Sequence, residues 1–165
     1  MLKTEELKGK TILIHGDADN LASMTISFAL RMQKDEKVLF IDTIGCMTPK
    51  YVEQFYHKKI DESLDKIFIS RPANYNDLSL FSCKLDSLFR KSNIKVLVIS
   101  SINSLFFDVH KKEVKEIFGE LVRNINYLTK KYGVITVIGN MNEASENTAI
   151  MNRILSRHSD RVYAV

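Results

Sequence analysis

The residues best placed for chemistry lie between Thr11 and Gly45, where an apolar β-branched run, TILIH, stops at Gly16-Asp17 and a helical pattern begins. In nucleotide-binding folds a phosphate loop of the form G-x-x-x-x-G-K-[ST] occupies that place. Its glycines let backbone N–H groups wrap a phosphate, its lysine neutralises the charge and its hydroxyl holds magnesium. Gly16 and Ser23 stand at the outer positions, but Leu21 replaces the second glycine and Ala22 the lysine. The nearest lysines are Lys10 and Lys34, and Asp17 and Asp19 add carboxylates where a polyanion would lie. The stretch therefore reads as a nucleotide-binding fold that has given up its nucleotide, and no cofactor is expected.

Other reactive groups make no constellation. His15, His57, His110 and His158 are scattered without metal-ligand spacing, and Cys46 and Cys83 form neither a disulfide framework nor a metal set. Ser100-Ser101 lacks the glycines of a nucleophile elbow. Basic residues gather in two places: His110, Lys111, Lys112 and Lys115, and then Arg153, Arg157, His158 and Arg161. Arg153 and Arg157 are four apart and share a helix face. Both groups are candidate DNA contacts, with a solvated basic surface as the plain alternative.

The elements that position these residues alternate. Strands are expected at Thr11 to His15, Lys37 to Ile41, Lys66 to Ser70, Lys95 to Ile99, Gly133 to Ile138 and Arg161 to Val165. Asn20 or Asp19 caps a first helix whose core side carries Leu21, Met24, Phe28, Leu30 and Met32. Thr48-Pro49 starts a helix running to about His57, and one helix spans about Asn76 to Lys91. A long helix spans about Lys111 to Lys131, Asn140 to Asn147 is a polar loop, and a last helix carries Ile150, Met151, Ile154 and Leu155. Alternation of this kind implies an α/β fold with a mostly parallel sheet and helices on both faces.

The chain has 165 residues, 45% of them hydrophobic and 27% charged, which suits one soluble domain. Its formal net charge of +4 permits nucleic-acid binding without demanding it. No apolar run approaches a membrane span and the opening MLKTEELKGK has no signal-peptide core, so a cytoplasmic protein without a membrane partner is expected.

Four segments in register resemble the RecA-like P-loop core of the archaeal RadA and RadB recombinase family. Where that family reads Y-I-D-T-E-G before a Pro-containing helix start, this chain reads FIDTIGCMTPKYVEQF; where the family reads V-V-I-D-S, it reads VLVISSINSLFF. VITVIGNMN stands at the family's strand ending N-Q-V, and SDRVYAV is similar to its closing strand. The likeness covers about residues 10 to 165. By resemblance, Ile44 stands where the family has its catalytic glutamate, Ser100 where it has its magnesium-linked aspartate, and Met141 where it has a phosphate-sensing glutamine.

With Ala22 in the lysine position, these departures imply a pseudo-ATPase and not an enzyme. Phe107 replaces the arginine of the family's first DNA-binding loop, Glu143 and Glu146 fall in the second, and Phe106-Phe107 lie in a region the family exposes. Relative to the family the core looks truncated at both ends, so a filament is not expected. A small homo- or hetero-oligomer is. The resemblance implies an accessory protein of DNA recombination or repair that binds a RadA-like recombinase or other RecA-fold protein, DNA weakly and without sequence preference, or both. The alternatives are a structural subunit of a heteromeric RecA-fold ring, as in the Elongator accessory subunits, and a nucleotide-binding regulator without hydrolysis.

Overall fold

The computed structural model describes residues 3–55 and 64–165. The strands are Thr11–Gly16 (β1), Lys37–Ile41 (β2), Ile67–Ser70 (β3), Ile94–Ile99 (β4), Ile135–Met141 (β5) and Arg161–Ala164 (β6). The helices are Thr4–Leu7 (α1), Ala18–Met32 (α2), Pro49–Phe55 (α3), Tyr75–Ser82 (α4), Leu85–Lys91 (α5), Lys111–Glu113 (α6), Gly119–Tyr132 (α7) and Thr148–Arg157 (α8). All strand pairings are parallel, in the order β3-β2-β4-β5-β1-β6. This α/β architecture, a six-stranded all-parallel sheet with helices around it, is consistent with a RecA-like core.

Parallel neighbours need crossover connections, and the crossovers bury both faces of the sheet. Leu39, Ile41, Leu97 and Ile99 pack with α4, α5, α7 and α8, whereas Val38, Phe40, Val96 and Val98 pack with α2 and α3. Side-chain alternation along each strand separates the two cores. The carboxyl ends of all six strands consequently lie along one edge of the sheet, and that edge holds the candidate site.

Several local expectations are corrected. Asp17, not Asn20 or Asp19, caps α2. Met24 is 43% exposed, because the buried stripe of α2 runs through Leu21, Ala22, Thr25, Ile26 and Ala29. The helix expected over Asn76 to Lys91 is two helices. Ser82 Oγ donates to the Ser79 carbonyl at 2.6 Å, and Asn124 of α7 donates to the Ser82 carbonyl at 3.2 Å, so oxygens that would carry the helix onward are already occupied.

The long helix contains a π-helical segment, Val114–Phe118, between α6 and α7. Gly133 is not in a strand: it ends α7 at φ +63°, a left-handed conformation that suits glycine. Asn140 is not in a loop; it belongs to β5 and is 1% exposed, since β5 lies between β1 and β4. The expected end of α3 near His57 falls outside the described residues.

Candidate functional site

Helix α2 starts where a phosphate loop would still be looping. Asp17 is extended (φ −74°, ψ 172°), its Oδ1 accepts the Asn20 N–H at 2.8 Å, and its backbone carbonyl accepts the Leu21 N–H at 2.9 Å. Leu21 and Ala22 are therefore helical and point inward, 0% and 2% exposed, with Ser23 half-buried behind them. The Asn20 and Leu21 N–H groups are thereby both engaged by Asp17. The carboxylate of Asp17 takes the helix-terminal amide and favourable dipole that a phosphate would use. A phosphate about 4 Å from either Asp17 or Asp19 would meet a repulsion of roughly 1–4 kcal/mol per unit charge. Tyr51 of α3 donates to Asp19 at 3.0 Å, bracing this end of α2 against its neighbour.

The other positions named from the sequence converge on the same edge. Met141 is the register partner of Gly16, and a hydroxyl network joins the ends of β2, β4 and β5. Thr43 donates its N–H to Ser100 Oγ at 2.9 Å, with its own hydroxyl 3.1 Å from that oxygen. Ser101 Oγ donates to Asn103 Oδ1 at 3.0 Å; Asn103 then accepts the Met141 N–H at 2.8 Å and donates to the Met141 carbonyl at 2.9 Å. Ser100 is fully buried, while Ile44 is half-buried against the α2-side core. Thr43 and Asn103 escaped the sequence reading, and Ser101 was weighed only as a nucleophile; a cluster of small polar residues at strand ends was the available signal.

Asp42, the one carboxylate on this edge that the family likeness retains, is committed to structure. It is 2% exposed and accepts N–H groups from Cys46 at 2.9 Å and Met47 at 3.0 Å, with Arg71 Nε at 3.3 Å. These bonds shape the turn after β2. Burial, and then Asp42 itself, push the Cys46 thiol up to about 12, so it is no nucleophile at neutral pH. Among the described residues no group of three or more His, Cys, Asp or Glu side chains could hold a metal ion.

Beneath α8, Asn140 Nδ2 lies 2.8 Å from His15 Nδ1 and donates to Asn152 Oδ1 at 2.7 Å, while Asn140 Oδ1 has no partner. Burial lowers the His15 pKa from its usual value. Phe106 is not exposed: it is fully buried, its ring 5.0 Å from that of Phe118 and 5.6 Å from that of Tyr75. Asn147 Nδ2 holds this turn down by donating to the carbonyls of Phe106 at 3.0 Å and Val109 at 2.7 Å. Phe107 is half-buried.

The basic residues divide differently in space than in sequence. Lys111, Lys112 and Lys115 are exposed, but Lys111 borders a hollow of about 530 Å³ that Asp108 and Glu146 also line. Arg153 and Arg157 are exposed on α8, and Arg161 is half-buried in β6. Arg123 of α7, unmarked in the sequence, is exposed as well, on a helix that packs against α8. Burial, Arg123 and Arg157, in that order, hold the His158 imidazole below its ordinary pKa.

Among the described residues, the strands at the two ends of the sheet, β3 and β6, carry exposed apolar side chains. β3 exposes Phe68 and Ile69, 44% each, beside a mostly apolar hollow of about 290 Å³ formed with Phe81 and Leu88. β6 exposes Val162 and Tyr163, 51% and 44%. No helix among the described residues is long and apolar enough to cross a membrane.

No protein-family model matches the chain. Over 81 residues it is 28% identical to the DNA repair and recombination protein RadB of Methanococcus maripaludis, a match covering 49% of this chain and 36% of that protein. RadB of Methanococcus maripaludis strain S2 matches to the same extent. The likeness thus spans 36% of the length of these curated relatives. Joined to the all-parallel sheet, it supports a RecA-superfamily, recombinase-like relationship for this chain.

Proposed function

We propose that this protein is a non-catalytic RecA-like accessory of DNA recombination or repair, acting by binding a recombinase, DNA, or both. One observation carries the reading: α2 begins at Ala18 under the carboxylate of Asp17, with Leu21 and Ala22 buried inside the helix. Phosphoryl transfer depends on positioning and on neutralising charge around the transferred group. Ala22, Ile44 and Ser100 offer no cation, water-positioning acid or metal carboxylate at the positions where the family likeness would have them. The RadB relatives are named for DNA repair and recombination, which suggests the process.

Partner binding is supported by the exposed Phe68 and Ile69 of β3 beside the apolar hollow, which suit an apolar side chain of a RecA-fold protein. Mixing the purified chain with a RadA-like recombinase should yield a complex in sedimentation. The chain alone should show no ATPase activity above a control, with or without DNA; turnover of about one per second or more would contradict this reading. The exposed apolar side chains on both β3 and β6 also suit a structural subunit of a heteromeric RecA-fold ring outside recombination, and the identity of the co-purifying partner separates the two. A nucleotide-binding regulator would instead show a nucleotide-dependent rise in melting temperature.

A further inference from the structure

The outer face of α7 and α8 carries cations with no ion-pair partner among the described residues. Among the described residues, ion pairs join Lys8 to Glu5, Arg71 to Asp42, Lys130 to Asp160 and Lys131 to Asp86; none engages Arg123, Arg153 or Arg157. All three arginines are exposed, and the helices that carry them, α7 and α8, pack against each other. One turn beyond Arg123 on α7 stands Tyr127, 61% exposed, and one turn further Lys131 lies with its ammonium 5.8 Å from the Tyr127 ring centroid. Positions i, i+4 and i+8 share a helix face, so α7 presents cation, aromatic and cation in line. Lys131 already neutralises Asp86, which also accepts the Tyr132 hydroxyl at 2.7 Å. Glu120 is the remaining carboxylate in the groove beside Arg123 and Tyr127.

We infer that this face binds single-stranded DNA, with Arg123, Arg153 and Arg157 on its phosphates and Tyr127 as a platform for an unpaired base. This rests on the reading above that the chain acts in part by binding DNA. A guanidinium presents a planar fork of donors that matches phosphate oxygens, and such contacts position a strand without reading its sequence. Charge alone would accept a duplex equally well. An exposed aromatic ring adds a preference, because a base can stack on it only when it is free of the duplex stack.

Fluorescence anisotropy with labelled oligothymidylate and with a duplex of equal length, at about 50 mM salt, tests the inference. Wild type should favour the single strand. Tyr127→Ala should weaken single-strand binding at least about fivefold while leaving duplex binding unchanged, and Tyr127→Phe should retain it. Arg123→Ala with Arg157→Ala should weaken both and flatten the salt dependence on the single strand by about 0.7 per lost contact. A duplex preference, or full single-strand binding by Tyr127→Ala and by the double arginine variant, would overturn it. So would loss of binding only in Lys111→Glu with Lys112→Glu, which would move the contact to α6. Absence of DNA binding beside an intact recombinase complex also overturns the inference yet leaves the non-catalytic reading standing, whereas ATPase activity would remove that reading and not this surface.

Discussion

Two regions of this molecule treat polar groups in opposite ways. Along the carboxyl edge of the sheet, Asp17, Asp42, Thr43, Ser100 and Asn103 all spend their hydrogen bonds on the protein itself. On the outer face of α7 and α8, Arg123, Arg153 and Arg157 spend no charge on any described carboxylate. A site for reacting groups must keep donors and charges in reserve for a substrate, and among the described residues that reserve is found on the outside of the helices. The difference is the ground for the proposal that this scaffold binds and does not turn over.

The contrast is broken most severely at Gly139. A Cβ there would overlap the Ser100 carbonyl, which belongs to backbone and cannot swing aside. Gly139→Ala should therefore cost more than about 3 kcal/mol, the upper range of ordinary overpacking, in urea denaturation. Next comes Asp42→Ala, which leaves the Cys46 and Met47 N–H groups without their buried acceptor. A loss of about 2–3 kcal/mol is expected, because bonds to a charged acceptor are the stronger kind. A loss under about 0.5 kcal/mol in either variant would mean that the edge is looser than its hydrogen bonds indicate.

The fold was legible from periodicity because each strand is a short apolar run between helical patterns; Lys37–Ile41 falls where the spacing places it. That Leu21 and Ala22 stand where a phosphate loop would carry glycine and lysine is a reading of the sequence alone. What they had become was not legible there. Asp17, Asp19 and Asn20 all suit a cap, and only the extended backbone at Asp17 decides among them. Asn140 looks like loop chemistry until β5 is seen between β1 and β4, and Gly139 carries no signal until the Ser100 carbonyl lies against it. Arg123 is one cation among many until α7 packs against α8, the helix of Arg153 and Arg157. Each of these depends on a contact between residues distant in sequence, which composition and period do not encode.

A smaller effect should follow pH. Burial lowers the pKa of His15, so near its normal titration the unfolded chain binds more protons than the folded one and stability rises with pH. The contribution is fully present above the unfolded value near 6.5 and is lost as pH falls through the lower folded value. The melting temperature should drop between about pH 7.5 and 5.5, less steeply in His15→Gln; identical slopes would exclude His15 as a source. Burial, Arg123 and Arg157 give His158 the same sign, so part of the slope remains in that variant. Least of all should change on the outside. Arg153→Ala with Arg157→Ala should leave stability within about 0.5 kcal/mol, and a larger loss would mean that these arginines hold the fold.

The most direct test of the closed phosphate position is the melting temperature with and without magnesium-ATP at about 1 mM. A site occupied at a hundred times its dissociation constant would add about 2.7 kcal/mol, or roughly 5–10 °C for a domain of this size. With Asp17 over the start of α2 and Leu21 and Ala22 inside it, no shift is predicted. A rise of several degrees that vanishes when ATP is withheld would contradict the account.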